Sequence, residues 1–193
     1  MYSQENYPND MLGTSNVSIK TAGCFLVSEC NLLNILLGID IDPPTLNAKL
    51  VEAGGIDGNG AMIPSVFAKL YGGTYEATTT APSSPCIAET LDNAKYGAPT
   101  HFVVFMGNGE IIDPIDGVQK PNQAYNSSVP YNFVNYRIFN FPPMQDNLSR
   151  TIACLGAVYN KLADGSGTET PEQAEVTACA GLLRDIRSSL GIS

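Results

Sequence analysis

Hydrophobic residues follow two different spacings along the chain, and the first is helical. A nearly continuous apolar run from Cys24 to Leu37 is long enough to favour a helix over a strand. Because the run is apolar on all sides, we expect this helix to lie buried in the middle of the domain and to end at Gly38. Amphipathic spacing predicts three further helices, at Pro44–Ala53, Met62–Tyr71 and Pro85–Tyr96.

The second spacing is the alternation that is typical of strands. It predicts strands at Thr74–Thr80 and Phe133–Phe141. Between them it predicts a hairpin whose arms are Thr100–Phe105 and Glu110–Asp113, joined by a glycine-rich turn. Residues 2–22 carry several turn-forming residues and are expected to be irregular. Helices come first and antiparallel strands follow, and this segregation predicts an α+β fold.

After Pro142-Pro143 the character of the sequence changes. Gln145–Leu162 and Pro171–Leu190 each have apolar residues at helical spacing, with a polar linker between them. We therefore predict one domain over residues 1–143 and a helical hairpin appended to it over residues 144–193. The apolar stripes of these helices would either cover the core of the domain or contact another subunit or a virion protein.

Composition and charge exclude several classes of partner. The net charge of −9 disfavours nucleic acid and anionic membrane surfaces. The sequence lacks the roughly 18 consecutive apolar residues of a membrane span, and its first residues do not resemble a signal peptide. We expect a protein of the cytoplasm or of a virus particle. The five cysteines are scattered without a CxxC pair, so neither a metal site nor a disulfide framework is expected, and no cofactor is predicted.

Candidate chemistry centres on the one histidine of the chain, His101. His101 begins a predicted strand, Asp113 ends the strand paired with it, and Cys24 begins the buried helix. A free thiol, with a pKa of about 8.5, is a poor nucleophile at neutral pH, and a helix N-terminus or an imidazolium activates it. The carboxylate would orient the imidazole. These three residues therefore predict a thiol nucleophile with its base.

An oxyanion formed at this site would need hydrogen-bond donors. The backbone N–H of Cys24 is one candidate, and the side-chain amide of Gln4 is the second. Each assignment has an ordinary alternative: Cys24 as a small buried hydrophobe, Asp113 as a turn residue, and Asp116 as the carboxylate that meets the histidine. Glu29 on the same helix would hinder the thiol if its charge faced the site. The remaining cysteines are interpreted as packing residues: Cys30, Cys86, Cys154 and Cys179.

Several blocks of sequence carry a resemblance to a known family. They are Tyr2-Ser3-Gln4, Asn9-Asp10-Met11-Leu12-Gly13, Gly23-Cys24-Phe25-Leu26-Val27-Ser28, His101-Phe102-Val103-Val104 and Ile112-Asp113-Pro114-Ile115-Asp116-Gly117. Over residues 2–141 the chain resembles papain-like cysteine peptidases, in the branch similar to the double-glycine leader peptidases of bacteriocin exporters. The residues after the family's Gly-Cys are often small or Thr-Ser, whereas here they are Phe25-Leu26. The predicted hairpin after Pro143 matches nothing in the family core.

The resemblance implies a papain-like fold, in which a central helix led by the nucleophile packs on an antiparallel sheet. It assigns Cys24 as the nucleophile, His101 as general base and acid, Asp113 as the orienting residue and Gln4 as an oxyanion donor. It implies an amide hydrolase acting on peptides. Peptidoglycan peptides are the expected substrate of a phage or bacterial member, with glycine and alanine suited to a narrow cleft. The alternatives are a structural or interaction module of a phage virion, and a protease specific for one protein precursor.

Overall fold

A six-stranded antiparallel sheet organises the fold in the computed structural model, which describes residues 1–91 and 100–142. The strands, numbered along the chain, are β1 Thr74–Thr78, β2 Cys86–Thr90, β3 His101–Phe105, β4 Glu110–Asp113, β5 Val118–Pro121 and β6 Phe133–Asn140. They lie in the order β1-β6-β2-β3-β4-β5, and each neighbouring pair is antiparallel. Together with the helices, this sheet confirms the predicted α+β class.

Four α-helices are present in the described part of the chain, in addition to a short 3-10 turn at Gln4–Asn6. They are α1 Ile19–Ala22, α2 Cys24–Leu37, α3 Pro43–Glu52 and α4 Pro64–Leu70. Helix α2 packs against β2, β3 and β4, while α4 packs against β1 and β6. The helices predicted at α2, α3 and α4 are confirmed, those at α3 and α4 with small shifts of their ends.

Helix α2 is central because its sequence leaves no polar face to present to water. Leu26, Val27 and Leu33 are completely buried. Full burial of side chains of this kind stabilises a fold by about 1.5–3 kcal/mol each. The helix ends at Gly38, whose φ of 65° lies in the left-handed region that glycine adopts without a steric penalty. The C-terminal stop is therefore the predicted one.

The helix predicted at Pro85–Tyr96 is wrong, because Cys86–Thr90 forms strand β2 between β3 and β6. The apolar residues of this segment fitted both a helix and a short buried strand, and hydrogen bonds to strands on both sides decide the outcome. The helical pattern required Leu91 to be buried, whereas that side chain is 61% exposed. Residues 92–99 lie outside the described residues.

Strand β5 and helix α1 were not predicted. β5 lies at the edge of the sheet and pairs with β4 through a tight connection in which Val118 is opposite Asp113. Its terminal Pro121 is tolerated because an edge strand does not need every N–H. The segments predicted as helices after Pro143 lie outside the described residues. None of the helices in the described part has the length and apolar character of a membrane span.

The interior of α2 contains one unexpected residue, Glu29. Its side chain is fully buried, and neither carboxyl oxygen has a hydrogen-bond partner among the described residues. Burial raises the pKa of Glu29 well above its usual value, because a charged carboxylate is poorly solvated there. Glu29 is therefore an uncharged carboxylic acid in the folded protein at mildly acidic pH. Its burial lowers the free energy of unfolding as pH rises, because the unfolded chain can ionise Glu29 while the folded chain resists ionisation.

We expect Glu29→Gln to change the pH dependence of folding. The unfolded chain ionises Glu29 above about pH 4.5 while the folded chain resists it, so wild-type stability should fall as pH rises beyond this value. The variant should match the wild type near pH 4 and exceed it progressively, by about 1.4 kcal/mol per pH unit. Chemical denaturation across pH measures this difference. Exposed Glu52→Gln is the control, and parallel pH curves for Glu29→Gln and wild type would contradict the assignment.

Candidate active site

The register of the β3–β4 hairpin places His101 and Asp113 on one face of the sheet. Phe105 lies opposite Ile111, and side chains alternate along each strand, so residues 101, 103 and 105 share a face with residues 111 and 113. His101 and Asp113 are therefore diagonal neighbours at the same end of the hairpin, which is within reach of a side-chain hydrogen bond.

His101 and Asp113 form a buried hydrogen bond. The imidazole Nε2 lies 3.0 Å from Asp113 Oδ1, and the two side chains are only 2% and 0% exposed. The carboxylate also accepts hydrogen bonds from the Ile115 backbone N–H, at 3.0 Å, and from the Tyr131 hydroxyl, at 2.9 Å. The Lys120 ammonium lies 3.9 Å from Oδ2. Each carboxylate oxygen thus has a donor, as a buried charge requires.

These contacts shift both pKa values in favour of the charged forms. Burial alone would lower the pKa of His101, but its hydrogen bonds with Asp113 and Cys24 outweigh this and raise the pKa to about 9. Burial alone would raise the pKa of Asp113, but the hydrogen bond and charge of His101 lower it below its usual value. The pair is accordingly an imidazolium and a carboxylate at neutral pH.

Cys24 lies at a tight junction between two helices. It begins α2, immediately after α1 and Gly23, and it is partly exposed. A side chain at position 23 could not fit, because a Cβ atom there would lie 2.5 Å from the Ile19 carbonyl oxygen. Glycine before the cysteine is therefore required by the close approach of α1. The junction leaves the first N–H groups of a 14-residue helix at the cysteine.

The first turn of α2 is anchored on the start of β3. The rings of Phe25 and Phe102 pack edge to face with centroids 4.8 Å apart. One turn later, Ser28 Oγ donates a hydrogen bond to the Phe102 carbonyl oxygen at 3.3 Å. Because Phe25 follows Cys24 and Phe102 follows His101, these contacts hold the start of α2 against the start of β3.

Cys24 lies near enough to His101 for its side chain to favour the charged imidazolium and raise the pKa of the ring. Since Nε2 of the imidazole is bonded to Asp113, the ring nitrogen left for the sulfur is Nδ1. Three residues that are distant in sequence thus lie near one another, with the imidazole hydrogen-bonded to the carboxylate.

Gln4 lies next to this cluster, and only 1% of its surface is exposed. Its backbone N–H donates to the Pro114 carbonyl oxygen at 2.7 Å, and its side-chain Nε2 donates to the Lys20 carbonyl oxygen at 2.7 Å. One of the two amide N–H groups is thereby used by α1, the turn that precedes Cys24. A side-chain amide has two N–H groups, so this contact leaves the second one unused.

The competing assignments are resolved by geometry. Asp116 accepts hydrogen bonds from Lys120 and from the Val118 backbone N–H, so Asp113 is the carboxylate that His101 contacts. Cys30 and Cys86 are buried, as predicted for packing residues, whereas Cys154 and Cys179 lie outside the described residues. Burial raises the pKa of the Cys86 thiol to about 12.

Tyr131 is a part of the cluster that was not predicted. It lies in the segment before β6, and its ring packs against His101 at 5.7 Å between centroids as well as bonding to Asp113. Burial and the charge of Asp113 raise the pKa of its hydroxyl, which therefore stays a donor. No pattern in the sequence pointed to Tyr131, because a single tyrosine in an irregular segment carries no periodic signal.

A cavity of about 340 Å³ opens beside the thiol. Besides Cys24, the lining consists of aromatic, aliphatic and small residues from the helices, from β1 and β3 and from the loop before α4, and of Arg137 on β6. No group of three or more His, Cys, Asp or Glu side chains among the described residues could bind a metal ion. No protein-family model matches the sequence, and no match was found among the curated proteins.

The single histidine permits a direct measurement of the site. We expect its NMR resonances to titrate with an apparent pKa of about 9, since hydrogen bonds with Asp113 and Cys24 stabilise the imidazolium. Asp113→Asn and Cys24→Ala should each lower this value, because each removes a contact that favours the charged ring. Asp116→Asn should leave it unchanged. An unshifted value near 6.5 in the wild type would contradict the described geometry.

Two tyrosines provide a matched test of the buried hydrogen bonds. Tyr131→Phe should cost about 1.5–3 kcal/mol of unfolding free energy, because it removes a donor from a buried charged carboxylate. Tyr71→Phe should be neutral or stabilising, since the buried Tyr71 hydroxyl has no partner among the described residues. Denaturant unfolding compares the two variants. Equal effects would show that the Asp113 contact contributes nothing specific.

Proposed function

We propose that this chain is a cysteine peptidase of the papain-like type, an amide hydrolase whose nucleophile is the thiol of Cys24. The observation that carries the proposal is the buried hydrogen bond between His101 and Asp113, together with the proximity of Cys24 to the same imidazole. A partly exposed sulfur at a helix N-terminus, next to an imidazolium, has the surroundings of a reactive thiol rather than of a packing residue. The central α2 packed on an antiparallel sheet supports the papain-like assignment.

In the first half of the proposed reaction the Cys24 sulfur attacks the carbonyl carbon of an amide bond. The negative charge that develops on the carbonyl oxygen is stabilised by the Cys24 backbone N–H and by the second amide N–H of Gln4. His101 Nδ1 then gives its proton to the leaving nitrogen as the C–N bond breaks. The products are a free amine and a thioester on Cys24.

In the second half a water molecule attacks the thioester. Neutral His101 accepts a proton from that water as the oxygen bonds to the carbonyl carbon. The C–S bond then breaks, a carboxylic acid leaves, and the sulfur departs as a thiolate beside the imidazolium. Asp113 remains ionised throughout and fixes the imidazole through Nε2. Tyr131 and the Ile115 N–H orient the carboxylate in turn. The exchange of protons balances without a metal or cofactor.

Peptides are the proposed substrates, with peptidoglycan peptides as the first class to test. The cavity beside Cys24, with a volume of about 340 Å³, is large enough to hold a side chain of a peptide. A protease specific for one protein precursor would use the same chemistry.

We expect the thiol of Cys24 to be far more reactive than the other described cysteines. Iodoacetamide at neutral pH should label it on the order of a hundredfold faster than Cys30 or Cys86, whose burial raises their pKa values. Peptide mapping by mass spectrometry measures the rate at each cysteine. The rate at Cys24 should fall in His101→Ala, and uniformly slow labelling would favour a structural module instead.

Turnover should depend on the three residues to different degrees. Cys24→Ala should abolish cleavage while barely changing the melting temperature, because it removes only a partly exposed sulfur. His101→Ala should lower turnover by about 10²–10⁴-fold, and Asp113→Asn by less, since a base remains but loses its orientation. Mass spectrometry of products from purified peptidoglycan fragments provides the assay. Cleavage by Cys24→Ala would show that another residue is the nucleophile.

A further inference from the structure

The cavity beside Cys24 contains a single charged group among the described residues that line it. This group is the guanidinium of Arg137 on β6, and the rest of the lining is aromatic, aliphatic or small. A cation in a largely apolar cavity is desolvated in part, so its interaction with an opposite charge is stronger there than at an open surface. The protein as a whole is acidic, with a net charge of −9, so the charge of this cavity is opposite in sign to that of the whole protein.

Arg137 is fixed in place by contacts that leave part of its hydrogen-bonding edge available. Its guanidinium lies over the ring of Phe102, 4.7 Å from the centroid, and 5.6 Å from that of Phe25. Both are contacts of the cation–π type. Nη1 donates a hydrogen bond to Glu89 Oε2 at 2.8 Å, which uses one of the five N–H donors.

We infer that Arg137 is a specificity residue that binds a carboxylate of the substrate close to the scissile bond. The substrate class is a peptide whose carboxylate comes from an acidic side chain or from its own C-terminus. A guanidinium presents N–H donors in one plane, and this arrangement matches the two oxygens of a carboxylate. This inference rests on the proposed function, because it names the substrate of the same thiol.

Glu89 partly neutralises Arg137 but does not occupy the cavity. Glu89 lies on β2, and its side chain is not part of the cavity lining. The ion pair therefore helps to orient the guanidinium. It also competes with a substrate carboxylate for the positive charge of Arg137. Removal of Arg137 and removal of the Glu89 charge should for this reason change carboxylate binding in opposite directions.

Two pairs of thiol-alkylating probes test the inference without a known substrate. The first pair, bromoacetyl-glycine and bromoacetyl-glycinamide, differs by a terminal carboxylate. The second pair, the α-amides of bromoacetyl-glutamate and bromoacetyl-glutamine, differs by a side-chain carboxylate. For each pair, the ratio of the alkylation rate constants at Cys24 measures the preference for the charged probe, and the pair with the larger ratio identifies the source of the carboxylate.

In the wild type we expect at least one pair to show a preference for the charged probe. Arg137→Gln should lower that ratio about tenfold, the order of one charge-assisted hydrogen bond. Glu89→Gln should raise it, because the guanidinium loses its competing partner. Lys49→Gln removes an exposed cation on α3 and should leave the ratio unchanged. His101 is present in every variant, so its attraction for anions contributes equally to every ratio and does not affect the comparison between variants.

Two results would overturn the inference separately from the function. If Cys24 reacts rapidly and Arg137→Gln changes neither ratio, Arg137 does not bind carboxylates, and the peptidase proposal stands. If Cys24 reacts slowly with all four probes in the wild type, both proposals are wrong. Should Arg137→Gln fail to fold, as judged by circular dichroism, Glu89→Gln decides: an increased ratio supports the inference, and an unchanged ratio overturns it.

Discussion

The buried hydrogen bond between His101 and Asp113 constrains the rest of the structure. Removing two charges from water is costly, and the cost is offset only when each charge has partners with good geometry. Asp113 obtains them from Ile115, from Tyr131 and from the imidazole itself. The register of the β3–β4 hairpin, the turn after it and the segment before β6 must therefore all be in place together. The charged pair is therefore stable only when the part of the sheet that carries it has formed.

The start of α2, which carries the thiol, is held against β3 by ring packing and by the Ser28 hydrogen bond to Phe102. Phe25 against Phe102 fixes the first turn of α2 on β3, and such a ring pair contributes about 0.5–1.5 kcal/mol beyond its buried area. Arg137 lies over both rings and ties them to β6. Phe25 thus has a structural role, because a small residue there could not make this contact.

Local sequence predicted the elements whose signals are local. The apolar run of α2, its stop at Gly38 and the hairpin after His101 each depend on neighbours a few residues away, and all three are confirmed. The prediction of a helix at β2 was wrong because pairing with β3 and β6, which are remote in sequence, outweighs the helical spacing of its apolar residues. Tyr131 and Arg137 could not be predicted for the same reason. Their roles come from contacts across the sheet that no periodicity encodes.

Glu29 and Asp113 show how surroundings decide the electrostatics of the site. Both are completely buried carboxyl groups, yet the pKa of Glu29 is raised because it lacks partners, while that of Asp113 is lowered because a cation and two donors surround it. A charged Glu29 would oppose the positive end of α2, and its neutral form does not. The field at the start of α2 is then set by His101, which is cationic at neutral pH. An acidic protein can in this way present a locally positive site to the sulfur of Cys24.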